Sequence, residues 1–227
     1  MSTSKKVRNN KTGEIKINGF KPIVTRNYAQ GAYLDSLRRN QITFAVGPAG
    51  TGKSYIATAY AAEQLYYKKV DKIIITRPAV EAEESLGFLP GELIDGKFAP
   101  YMAPVREILD KLLGKTFVEY CLKVGDIEPV PLAYMRGRTF DNSIVLLTEA
   151  QNTTPTQMKL ILSRIGENTK YIVEGDISQK DISVVSGMED AIERFKHLDD
   201  IEIIRFLNQD IVRSKLCKQI IQAYSDG

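Results

Sequence analysis

A chain of 227 residues, 43% hydrophobic and 26% charged, has the balance of an ordinary folded domain and enough length to bury a core without disulfide staples. Its two cysteines, Cys121 and Cys217, form no C-x-x-C pair, which argues against a metal knuckle or disulfide framework and favours a reducing, cytoplasmic setting. No apolar run approaches a membrane span, the first residues lack the apolar segment of a secretion signal, and the net charge of +3 is unevenly placed.

Residues 1–26 carry seven basic side chains against Glu14, which gives this arm +6 and leaves −3 on residues 27–227. The arm suits either a nucleic-acid backbone, through phosphate contacts, or plain solvation as a tail. An apolar run, Ile42–Val46, predicts the first strand, and Ser54–Tyr67 predicts a helix after it. Lys72–Thr76 is a second strand, ending at Arg77. Residues 78–104, punctuated by Gly87, Pro90, Gly91, Gly96 and Pro100, read as a long irregular insertion of functional length. Then follow a helix at Pro104–Leu113 and strands at Glu128–Leu132 and Ser143–Leu147. A helix at Pro155–Ile165, a strand at Lys170–Glu174, a helix at Met188–Lys196, a strand at Ile201–Phe206 and a closing helix at Ile211–Tyr224 complete the chain. Strands alternating with helices predict one α/β domain over residues 27–227, with a mainly parallel sheet covered by helices on both faces. Ile73-Ile74-Ile75 and Ile144-Val145-Leu146-Leu147 are apolar without alternation, as strands buried on both faces must be.

Between the first strand and its helix lies Gly47-Pro48-Ala49-Gly50-Thr51-Gly52-Lys53-Ser54. Strand, glycine-rich turn, Lys-Ser and helix together make a P-loop. The glycines let backbone N–H groups turn inward around a polyphosphate, and the helix N-terminus adds partial positive charge. Lys53 would reach the β- and γ-phosphates of ATP, and the Ser54 hydroxyl would ligate Mg²⁺. The nucleotide-binding set is these eight residues with the adjoining Tyr55.

Ligands in such sheets bind beyond the carboxyl ends of strands, where Arg77, Thr148-Glu149 and Gly175-Asp176 also fall. Glu149 sits where a general base for water should be. Thr148 is the anomaly, because an Asp is expected beside that base to orient the hydrated metal. Its neutral hydroxyl can bond a Mg²⁺-bound water but brings no anion. The expected metal set is therefore Ser54, Thr148 and Glu149.

The chain resembles the PhoH-like ATPases, P-loop NTPases with a RecA-like sheet related to superfamily-one helicases. The resemblance rests on the P-loop, Arg77-Pro78 with Gly87-Phe88-Leu89-Pro90-Gly91, and Pro131-Leu132-Ala133-Tyr134-Met135-Arg136-Gly137-Arg138-Thr139. It rests also on Glu149-Ala150-Gln151-Asn152-Thr153-Thr154, Gly175-Asp176 with Gln179, Ser186-Gly187 and Asp210-Ile211-Val212-Arg213. It implies a cytoplasmic ATPase coupled to single-stranded RNA or DNA, working as a ring of identical subunits such as a hexamer. It implies that Gln30 reads adenine, that Gln151 and Gln179 position water and sense the γ-phosphate, and that Arg213 is an arginine finger reaching a neighbouring subunit. Arg77, Arg136 and Arg138 would hold phosphates and Tyr134 would stack a base. Thr148 departs from the family pattern, and so does Glu174, where a small residue is usual. Two other classes share the loop. An ATP-binding switch or scaffold with weak hydrolysis fits Thr148, whereas a small-molecule kinase is disfavoured because residues 78–104 contain no lid arginine.

Overall fold

The strands β1 (Ile42–Val46), β2 (Lys72–Thr76) and β4 (Ser143–Leu147) fall on the residues their apolar runs predict, and every side chain of β1 and β4 is buried. With β3 (Ile127–Pro129), β5 (Lys170–Gly175) and β6 (Ile201–Arg205) they form a six-stranded sheet in the order β3-β2-β4-β5-β1-β6. All five pairings are parallel. The computed structural model describes residues 19–78, 99–213 and 216. Residues 1–18 of the basic arm, 79–98 of the insertion, and 214–215 and 217–224 of the closing helix lie outside them.

Side chains alternate across the strands and build two cores. One holds Ala45, Ile73, Ile75, Ile144, Leu146 and Ile172. It is covered by α1 (Tyr28–Arg39), α2 (Lys53–Tyr66), α3 (Ala99–Leu113) and α4 (Lys115–Val124). The other holds Phe44, Ile74, Val145, Leu147 and Val173 beneath α5 (Pro155–Leu162) and α6 (Gly187–Phe195).

Two helices have weak sequence signals and were not expected. α1 carries Gly31 and a narrow buried stripe of Tyr33, Leu34 and Leu37; its start is fixed by Asn27, whose side chain accepts the Gln30 N–H at 2.9 Å. α4 buries only Val118 and Cys121 and is bounded by Gly114 and Gly125. α3 begins five residues ahead of Pro104 and accommodates it, because burial of Met102, Val105 and Leu109 outweighs one lost backbone bond. α5 stops before its predicted end because Arg164 and Gly166 pair with Phe140 instead. β3 is shorter than expected: Pro131 cannot donate to a ladder, and the chain turns into a 3₁₀ segment, Leu132–Met135. Phe20, within the segment read as an arm, is buried with its ring 5.7 Å from that of Tyr66.

The sheet order matters most for function. β5 lies between β1 and β4, so the glycine-rich loop, Gly175-Asp176 and Thr148-Glu149 emerge side by side at one edge.

Candidate functional site

The loop after β1 curls because Gly50 and Gly52 adopt left-handed backbone angles, φ +83 and +88. Such angles disfavour residues with a β-carbon. A Cβ on Gly52 would also stand 2.6 Å from Nε2 of Gln30. Gly52 caps α2 without a side chain, so the first amides of that helix face the loop unscreened. Thr51 Oγ1 donates to the Pro48 carbonyl at 3.0 Å and sets the curl. Lys53 is buried, and its ammonium donates to the carbonyls of Gly47 at 2.6 Å and Pro48 at 2.9 Å. Burial lowers its pKa, and the carboxylates of Glu174, Asp176 and Glu149 oppose that shift.

Two remote segments brace this loop. The Gln30 amide donates to the Thr51 carbonyl at 2.8 Å and accepts the Arg26 N–H at 2.8 Å. After β6 the chain runs back along the loop: Phe206 N–H donates to Val46 O at 2.7 Å and Val212 N–H to Gly50 O at 2.9 Å. Ile211–Arg213 are not helical here, unlike the expectation for this stretch. They carry the Arg213 side chain across Gly50 to the wall of the cleft.

The opposite wall is acidic. Glu149 has a left-handed backbone, φ 52 and ψ 38, a strained conformation for a residue with a β-carbon and one that gathers at functional sites. Gln151, almost fully buried, lies behind it rather than on the cleft wall. Its Nε2 donates to Glu149 Oε2 at 2.7 Å, and its Oε1 accepts the Asp176 N–H at 3.1 Å. Asp176 Oδ1 accepts from the N–H and hydroxyl of Ser178 at 3.1 and 2.6 Å. Its Oδ2 is buried without a partner among the described residues. Gln179, exposed, ends the 3₁₀ segment Ile177–Gln179 and lines the cleft.

Glu174 was absent from the expected site, yet it lines the cleft at 5% exposure. Burial pushes its carboxyl up to about 7, against a hydrogen bond with Ser54 and the charge of Lys53. Its Oε2 has no hydrogen-bond partner among the described residues. The available signal was a carboxylate closing an otherwise apolar strand. Thr148 is half-buried, extends the sheet by donating its N–H to Thr76 O at 3.0 Å, and is not among the cleft-lining residues.

The cleft is open, about 320 Å³, and lined by Ala49, Gly50, Gly52, Lys53, Ser54 and Tyr55 on one side and Glu149, Glu174, Asp176 and Gln179 on the other. That is at the lower end for a small-molecule site. Among the described residues no three His, Cys, Asp or Glu side chains converge to grip a bare metal ion. A P-loop needs no such cage, since the metal there takes one hydroxyl, phosphate oxygens and water. The curled amides, Ser54 and the partnerless Glu174 and Asp176 oxygens fit a hydrated Mg²⁺ with a triphosphate.

The residues expected at nucleic acid disperse. Arg77 is half-buried at the end of β2. Tyr134 lies in the 3₁₀ segment, not at a strand end, and is exposed, as is Arg136. Arg138 instead pairs with both oxygens of Glu128 at 2.8 Å and stands 5.0 Å over the Phe140 ring. That pair holds the Glu128 carboxyl below its usual range. No helix among the described residues is long and apolar enough to cross a membrane.

Known proteins match most of the chain. The family described as PhoH-like protein matches residues 22–225. Protein PhoH of Escherichia coli strain K12 is 51% identical over 208 residues, covering 90% of this chain and 58% of that protein. The PhoH-like protein of Bacillus subtilis strain 168 is 47% identical over 206 residues, covering 90% and 64%. That of Synechocystis is 41% identical over 202 residues, covering 88% and 61%. The chain thus spans less than two thirds of the length of these relatives.

Proposed function

The chain belongs to the PhoH-like protein family, with an α/β P-loop NTPase fold, and from that premise we propose that it binds ATP with Mg²⁺ and hydrolyses it. The observation that carries this reading is the opposition of Lys53 and Glu149 across one cleft whose floor is a glycine curl at a helix N-terminus. Loop amides and Lys53 would take the β- and γ-phosphates, Lys53 exchanging the Gly47 and Pro48 carbonyls for phosphate oxygens. Ser54 would hold Mg²⁺, which supplies charge neutralisation on those oxygens. Glu149, oriented by Gln151, accepts a proton from water as its oxygen bonds the γ-phosphorus and the bond to the ADP oxygen breaks. Arg213 faces the charge that develops on the phosphoryl oxygens from within the same protomer. Gln179, at the cleft rim, is the residue placed to respond to the γ-phosphate.

The finer reading is an ATPase coupled to single-stranded RNA, in the cytoplasm, with self-association into a ring. It is supported by the exposed Tyr134 and Arg136, by the basic arm within residues 1–26 ahead of a single domain at 27–227, and by the lone P-loop. A second reading, an ATP switch with slow turnover, draws on Thr148 standing where Asp is expected. Turnover of wild type, Lys53→Ala and Glu149→Gln with and without single-stranded RNA decides. RNA-stimulated hydrolysis lost in both variants supports the motor; ATP uptake without turnover supports the switch.

A further inference from the structure

Thr148, a neutral residue beside Glu149 where P-loop chemistry calls for a carboxylate at the metal, and the buried Glu174 lie far apart in sequence but side by side in the sheet. β4 and β5 run in parallel register up to Leu147 beside Val173, and one step further brings Thr148 level with Glu174. Both continue the face that carries Leu146 and Ile172, which is the face under α2, where Ser54 begins the helix. On its other side Glu174 stands beside Ala45 of β1, whose small side chain leaves room for a carboxylate. Glu174 lines the cleft, as Ser54 does, and keeps Oε2 partnerless at 5% exposure; Thr148 does not line the cleft. A buried carboxylate oxygen without a partner is costly unless a cation or a bound water completes it.

We propose that Glu174 supplies the anion that Thr148 lacks: a positioning residue that holds the hydrated Mg²⁺ over Ser54, moved one strand across the sheet. The proposal rests on the ATP reading above. It places the anion on β5 rather than at the end of β4. The extra methylene of Glu over Asp suits the reach from β5, since β5 lies next to the loop strand and its carboxylate lines the same cleft as Ser54.

The test measures Mn²⁺ affinity by electron paramagnetic resonance, using the full chain with a non-hydrolysable ATP analogue, and separately the analogue's affinity in EDTA. Glu174→Gln is expected to weaken Mn²⁺ by about 10–100-fold. Analogue uptake in EDTA should hold or tighten, because a like charge near the phosphates is removed. Glu174→Thr should match that loss, and Thr148→Asp combined with Glu174→Thr should recover most of it. Mn²⁺ affinity unmoved by Glu174→Gln, or a double variant no better than Glu174→Thr alone, overturns the assignment while leaving ATP binding standing. Failure of the wild type to take up the analogue with the metal present overturns the ATP reading itself. Because Glu174→Gln keeps the shape of the side chain, and the double variant restores one buried carboxylate, a folding defect in Glu174→Thr does not decide the outcome.

Discussion

The Arg213 side chain crosses Gly50 of its own loop so closely that no β-carbon fits between them. Alanine at position 50 must both expel the guanidinium and take a left-handed backbone angle, φ +83. The backbone alone costs about 1–2 kcal/mol. Gly50→Ala should therefore lower the urea midpoint and weaken ATP-analogue binding at least tenfold, about 1.4 kcal/mol or more. An unchanged affinity would mean that the curl plays no part in binding.

Arg213 lines the cleft of its own chain, and if it acts there a protomer lacking it should not be rescued by a neighbour. Arg213→Ala is expected to lose about 10³-fold or more in turnover, the scale of an arginine finger. Mixing Lys53→Ala with Arg213→Ala protein should restore no activity at any ratio. Recovery on mixing would show that the arginine acts across a subunit interface.

Glu149→Gln keeps the size of the side chain and removes the base. Turnover should fall about 10²–10⁴-fold while analogue affinity is retained. Gln151→Ala should fall less, about tenfold, because the base survives but loses the amide that orients it. Measuring kcat and nucleotide affinity separately checks both, and a Gln151→Ala effect confined to affinity would reject its orienting role.

Arg138 and Glu128 give a prediction in pH. The Glu128 carboxyl is held below its ordinary 4.5 in the folded chain, chiefly by the Arg138 hydrogen bonds. A carboxyl with a depressed folded pKa stabilises the fold above its unfolded pKa, and that contribution is lost as pH falls through the folded one. Wild type should exceed Glu128→Gln by at most about 1 kcal/mol at neutral pH, the pair being partly exposed. The gap in urea midpoints should close in acid. In the same measurements Arg138→Ala should lower the midpoint and Arg136→Ala should not.

The loop was legible because its chemistry is local: eight consecutive residues specify strand, turn and helix, and the fold realises each one. Glu149 was legible for a related reason, as an acid at the end of a fully apolar strand. What the chain order conceals is which strand ends are neighbours. β5 separates β1 from β4 in space though it follows both in sequence, and this brings Glu174 to the same cleft as Ser54. That Arg138 pairs with Glu128 is likewise visible only once the fold brings the two together. α1 and α4 were hidden because each buries only two or three apolar side chains, too narrow a stripe to stand out from loop composition.

Gln151 fastens two strand tips with one side chain, its amide nitrogen on Glu149 and its carbonyl on the backbone of Asp176. Whatever tugs on the Asp176 turn therefore pulls on the Glu149 carboxylate of the adjoining strand, with no intervening loop to absorb the strain. If the proposed hydrolysis holds, such a splice would make the timing of bond cleavage mechanically answerable to events at the Asp176 turn.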